Sequence, residues 1–144
     1  MIVVIRISGQ IKLKGDVVET LDKMKLRKKY TCVLLNETPE NLGMIKKVNN
    51  FIAFGNIDEK TLVELIKTRA KHIGNTKKKI EHPEKIAKEI LAGKKLEELG
   101  IKPFFGLHPA RGGINTKKHY NKDHPSWVLG NHKDNINKLI MRML

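Results

Sequence analysis

The sequence predicts an α+β fold: a strand–helix–strand–helix–strand core with a helical and basic C-terminal extension. Three observations carry that prediction. Short β-branched runs alternate with amphipathic segments over residues 1–55. Each amphipathic segment there has one apolar stripe, which places its helix on a single face of a sheet. Beyond residue 55 the apolar residues keep a helical period, and the basic excess is highest in the last third. At 144 residues, 40% apolar and 31% charged, the chain can bury a modest core and is too apolar to stay disordered.

Ile2 to Ile7 is compact and β-branched, so it forms the first strand. Gly9 to Gly15 is a polar loop holding Lys12 and Lys14. Asp16 suits the cap of a helix running to about Lys25, with Val17, Val18, Leu21 and Met24 as its apolar stripe. Thr31 to Leu35 is the second strand, and Asn36 to Pro39 has turn chemistry. The helix from Glu40 to Lys47 points Leu42, Ile45 and Val48 inward and Lys46 and Lys47 outward. Phe51 to Phe54 is the third strand, closed by Gly55.

Asp58 opens a further helix to Ala70, with Leu62, Leu65 and Ile66 inward. Residues 74–79 form a basic loop. Pro83 fits the first turn of a helix ending near Ala92-Gly93. Leu96 and Leu99 add a helical turn, which Gly100 stops. Phe104-Phe105 is a short strand. Residues 106–133 have no period and form a long basic loop, expected to be mobile until a partner orders it. Ile136, Leu139, Ile140 and Met143 recur at helical spacing, so the chain ends in a docked helix. The boundaries are 1–56 for the core, 57–100 for the helical extension and 101–144 for the basic loop and last helix. All three belong to one compact domain, with no internal repeat.

Lys and Arg number 29 against 15 Asp and Glu, a net charge of +14. The last third, 101–144, contributes 8 basic and 2 acidic groups and four of the six histidines. Such a field attracts polyanions. A membrane-surface protein would want a basic amphipathic helix with aromatic anchors, whereas Trp127 lies in the polar 106–133 stretch. Cys32 is the single cysteine, which excludes a disulfide frame and a cysteine metal cluster and suits a reducing compartment. Met1 to Ile5 is too short for a signal peptide, and no run has transmembrane length. The expected location is the cytoplasm.

The segment Phe104 to Tyr120 concentrates the chemistry. It is rich in glycine, Arg, Lys and His and holds no acid. Arg111-Gly112-Gly113 suits close approach to phosphate, with Arg111 forked onto oxygens and the glycines admitting the backbone. The same tripeptide also suits a plain turn needing positive φ. Lys117, Lys118 and His119 follow within a few residues and favour nucleic-acid contact. Arg27, Lys28 and Lys29 form a second basic run, and Lys77, Lys78 and Lys79 a third. The 77–79 run can instead be a solvated loop, and the 27–29 run a complement to a helix dipole.

Aromatic residues make up 5% of the chain, too few for a stacking platform; Tyr120 and Trp127 could each take one base. A zinc site on His119, His124 and His132 would need a fourth ligand, for which Asp123 is available with no cysteine near, and a geometry that a loop rarely holds. Asp123 and Asp134 are the acids of the last third, too sparse for a two-metal nuclease. No phosphate-binding loop, dinucleotide fingerprint or nucleophile elbow occurs. No enzyme activity, cofactor or metal is expected.

Two motifs resemble a known family. Glu37-Thr38-Pro39-Glu40-Asn41-Leu42-Gly43-Met44-Ile45-Lys46-Lys47-Val48-Asn49-Asn50-Phe51-Ile52-Ala53-Phe54-Gly55 is similar to the signature helix and third strand of large-subunit ribosomal protein L-thirty. Leu107 to His119, followed by Gly130 to Ile140, resembles the extension of its long archaeal and eukaryotic form. The resemblance runs in order along essentially the whole chain. It implies a three-stranded antiparallel sheet in the core and a structural place in the large ribosomal subunit. It also implies ribosomal RNA as main partner, neighbouring ribosomal proteins, and proximity to 5S rRNA. By matching position it makes Gly43, Met44, Lys46, Lys47 and Asn49 an RNA-facing helix and Arg111 to Lys118 an RNA-contacting extension. Family members often carry Arg before the Gly-Met pair; here Leu42 stands there. The rivals are a free-standing RNA chaperone or nucleic-acid-compacting protein, and a nuclease.

Overall fold

The computed structural model describes residues 1–9, 11–74, 80–124 and 126–144. In chain order the elements are β1 (Ile2–Arg6), α1 (Gly15–Lys23), β2 (Thr31–Leu35), α2 (Pro39–Val48), β3 (Ile52–Asn56), α3 (Glu59–Arg69), α4 (Pro83–Leu91), β4 (Phe105–Gly106), β5 (Asn115–His119), β6 (Trp127–Asn131) and α5 (Ile136–Met143). A 3-10 turn, Lys133–Asn135, leads into α5.

β1 lies between β2 and β3 and is antiparallel to both, with Val4 opposite Val33 on one side and Phe54 on the other. The expected three-stranded antiparallel arrangement is the centre of a larger sheet. β4 adds antiparallel to β2, β6 adds parallel to β3, and β5 adds parallel to β6. The order is β4-β2-β1-β3-β6-β5.

Alternation along the strands divides the core into two layers. Ile2, Val4, Val33 and Ile52 point to one face, where Val17, Leu21 and Met24 after α1 and Ile45 and Val48 of α2 cover them. The two core helices therefore share a face, as their single stripes predict. Val3, Ile5, Ile7 and Ala53 point to the other face. Leu62, Leu65 and Ile66 of α3, Ile90 of α4 and Ile136, Leu139, Ile140 and Met143 of α5 close it. Each such Leu or Ile contributes roughly 1.5–3 kcal/mol of burial.

Several sequence expectations need correction. Residues 106–133 are not a loop: they hold the end of β4, all of β5 and β6, and the start of the 3-10 turn. Trp127 accordingly opens a strand rather than lying in a polar loop. Asp16 is inside α1, where its carboxylate accepts the Val17 N–H at 2.9 Å; Lys14 occupies the cap. Asp58 does cap α3 by backbone position, without a side-chain bond. Leu42 is exposed instead of facing the core, and the half-buried Met44 packs there. Leu96 to Gly100 is a hydrogen-bonded turn, ended by Gly100 at φ 70°.

Candidate nucleic-acid interface

The register collects several basic segments at one end of the sheet. β1 ends there with Arg6 opposite Ile52, the first residue of β3. β2 begins there with Thr31, which pairs with Gly106 at the end of β4. A row of backbone bonds runs across this end: Ile7 and Ser8 N–H to Phe51 O at 3.0 and 3.1 Å, Tyr30 N–H to Arg6 O at 2.7 Å, and Leu107 N–H to Tyr30 O at 3.0 Å. The segments entering and leaving these strands are the loop with Lys12 and Lys14, the run Arg27-Lys28-Lys29, the end of α2 at Asn49, and the stretch leading to Arg111.

Arg6 locks two of those segments. Its side chain is 1% exposed, yet it donates to four carbonyls: Ser8 at 3.0 Å, Gly9 at 3.2 Å, Leu26 at 2.7 Å and Arg27 at 3.0 Å. Burial lowers its pKa, and nearby Asp22 opposes that effect. A guanidinium starts high enough to remain charged. Arg27, Lys28 and Lys29 are exposed beyond this anchor, and the Lys29 ammonium lies 4.9 Å from the Tyr30 ring centre.

Arg111-Gly112-Gly113 forms a turn with φ of 82° at Gly112 and 76° at Gly113, so the turn reading of the tripeptide holds at both glycines. It is tied to the end of α5. Arg142 donates to Arg111 O at 2.9 Å and Gly113 O at 2.6 Å, and the Arg111 N–H returns to Arg142 O at 2.9 Å. The His108 N–H bonds Met143 O at 2.9 Å. The two bonds made by Arg111 itself use its backbone, while its side chain is exposed. A phosphate-contacting residue on a held backbone would look the same, so turn and contact are compatible.

Lys117, Lys118 and His119 lie on β5, the outer strand, and are exposed. Charged side chains on an edge strand also discourage pairing with another chain. Asn49 and His119, distant in sequence, meet over Gly130. A Cβ at Gly130 would lie 3.3 Å from Asn49 Oδ1 and 3.1 Å from His119 Nδ1, and its φ of 90° also favours glycine. An open groove continues from this point between Lys117, His119, Asn50 and the residues Ser8, Gly9, Ile11 and Leu13. Ile11, 88% exposed, stands at its rim.

Along α2, Gly43, Lys46 and Lys47 are exposed and Met44 and Asn49 half-buried. Lys47 lies 3.6 Å from Asp16, an exposed pair of small energetic value. Lys77, Lys78 and Lys79 lie outside the described residues.

The aromatic candidates are already engaged. Tyr120 packs on His132 at 4.1 Å between ring centres, and Trp127 stacks on His124 at 4.2 Å with Lys118 5.7 Å from its ring. His132 is buried, its Nε2 2.8 Å from Val128 O. Burial lowers its pKa, partly offset by that carbonyl. Burial likewise pushes the Cys32 thiol well up, which makes it a poor nucleophile. No cluster of His, Cys, Asp and Glu suited to a metal occurs among the described residues, and no described helix is long and apolar enough to cross a membrane.

Arg6, Arg142 and Gly130 are the organising residues that sequence reasoning missed. Arg6 interrupts a β-branched run and resembles its polar end. Arg142 resembles an exposed terminal cation. The one signal for Gly130 is a glycine within an apolar run, which marks close approach.

Comparison with known proteins identifies the family. The family model described as Ribosomal protein L30p/L7e matches residues 2–52. The chain is 36% identical to the large ribosomal subunit protein uL30 of Archaeoglobus fulgidus, covering 99% of both chains. It is 35% identical to the proteins of that name from Methanococcus vannielii and Nanoarchaeum equitans, covering 98% of this chain and 97% of each relative. The match spans the core and the basic C-terminal strands alike, and on it the chain belongs to the large ribosomal subunit protein uL30 family.

Proposed function

We infer that this chain is a structural component of the large ribosomal subunit and binds ribosomal RNA at the basic end of its sheet. The observation that carries the reading is the convergence there of Lys12, Arg27, Lys28, Lys29, Asn49 and Arg111 on a backbone row fixed by hydrogen bonds. Lys117, Lys118 and His119 of β5 extend the surface past Asn49, and Gly43, Met44, Lys46 and Lys47 extend it along α2. Lys77, Lys78 and Lys79 are a further proposed contact. Affinity comes from many phosphate and ribose contacts rather than from base reading. Placement in the cytoplasmic ribosome, among other ribosomal proteins and near 5S rRNA, completes the proposal. The full-length likeness to ribosomal relatives favours it over a free RNA chaperone.

The test is Arg111→Ala combined with Lys117→Ala. Both side chains are exposed, and the Arg111 carbonyl and N–H still bond Arg142 in the variant. Affinity for large-subunit rRNA should fall, with the log–log salt slope reduced by about 1.5 for two lost phosphate contacts. The melting temperature should be nearly unchanged. A matching loss of fold would assign both residues to structure, and unchanged binding would remove them from the interface.

A further inference from the structure

We propose that Phe104, Arg27 and Lys28 form a pocket for one unpaired RNA nucleotide, with the base against the Phe104 ring and the adjoining phosphates on the two cations. The proposal rests on the RNA-binding reading above and adds a base contact to a surface otherwise made of phosphate contacts.

Alternation at β4 creates the platform. Phe105 is fully buried opposite Cys32, so the preceding Phe104 turns the other way and is 43% exposed. It is the aromatic member of the exposed large apolar side chains among the described residues. Tyr120 and Trp127 already stack on histidines. The Phe104 ring instead lines a pocket of roughly 420 Å³ with Lys25, Arg27, Lys28 and Thr31.

The charges fit the same occupant. Lys25 is paired with Glu97, which neutralises that carboxylate. Neither Arg27 nor Lys28 is in an ion pair among the described residues, and Arg6 holds the Leu26 and Arg27 carbonyls, so the cations rise from a fixed backbone. The pocket therefore presents an apolar ring beside two positive charges, the complement of a base on a phosphate chain. It adjoins the basic end directly, because Thr31 begins β2 there.

Titration of the full chain with the dinucleotide pApA, followed by NMR, tests the pocket; ribose 5-phosphate is the baseless control. The Phe104 ring resonances should shift upfield with pApA and not with ribose 5-phosphate. Phe104→Leu, which keeps apolar bulk, should weaken pApA by at least about fivefold and leave ribose 5-phosphate binding unchanged. Unmoved Phe104 resonances, or equal pApA affinity in Phe104→Leu, would overturn the pocket while rRNA binding by the same chain left the broader reading standing. A chain that bound neither rRNA nor pApA would overturn both. A Phe104 response to hexaglutamate and not to pApA would reassign the pocket to an acidic protein segment.

Discussion

Arg6 shows how one side chain links fold to function. A buried guanidinium is costly unless its nitrogens find acceptors, and here four carbonyls give each of its three nitrogens at least one. Two of those carbonyls belong to the loop after β1 and two to the segment carrying Arg27. Arg6→Leu would keep the bulk but orphan all four acceptors, at a net cost of about 3 kcal/mol after partial rehydration. Thermal unfolding should show a loss of roughly 10 °C. A melting temperature within a degree or two of wild type would mean that water replaces the guanidinium freely. The sequence displays Arg6 as the end of an apolar run, since nothing local distinguishes a solvated arginine from one that caps four distant carbonyls. By contrast the exposure of Arg111, Lys117 and Lys118 was legible, because glycine and charge do not build a core.

At the scale of elements, the docking of α5 on β3 depends on Gly55. A Cβ there would come within 2.2 Å of Lys133 O and 3.0 Å of the Ile136 side chain. Asn137 fixes the same junction, accepting the Asp58 N–H at 3.0 Å and donating to Asn56 O at 3.1 Å. Gly55→Ala must push the 3-10 turn off the strand, and overpacking of this kind costs about 1–3 kcal/mol. Denaturant titration should report that loss; an unchanged midpoint would show that the turn moves aside without penalty. The β1 to β3 core and the five described helices were legible from β-branched runs, apolar period and turn residues such as Pro83. β5 and β6 were not. Asn115-Thr116-Lys117-Lys118-His119 has no buried alternate face, and β6 carries a glycine at φ 90°, so neither shows the period-two signal. β6 takes its place by pairing with β3, far away in sequence, and β5 by pairing with β6 in turn.

At the scale of the molecule, +14 of charge is spread along the chain, and the topology brings the loop with Lys12 and Lys14 and the run Arg27 to Lys29 to one end of the sheet. The opposite end of β1, where Ile2 faces Leu35 and Asn56, ends in an N-terminal amine paired with Glu37 at 3.4 Å. On the proposed function, the basic end of the sheet holds ribosomal RNA within the large subunit. Sedimentation of a native cell lysate, with the chain followed by immunoblot across the gradient, tests it most directly. The chain should comigrate with large subunits and whole ribosomes and be depleted from the light fractions. A chain found chiefly in the light fractions, free of large-subunit rRNA, would contradict it.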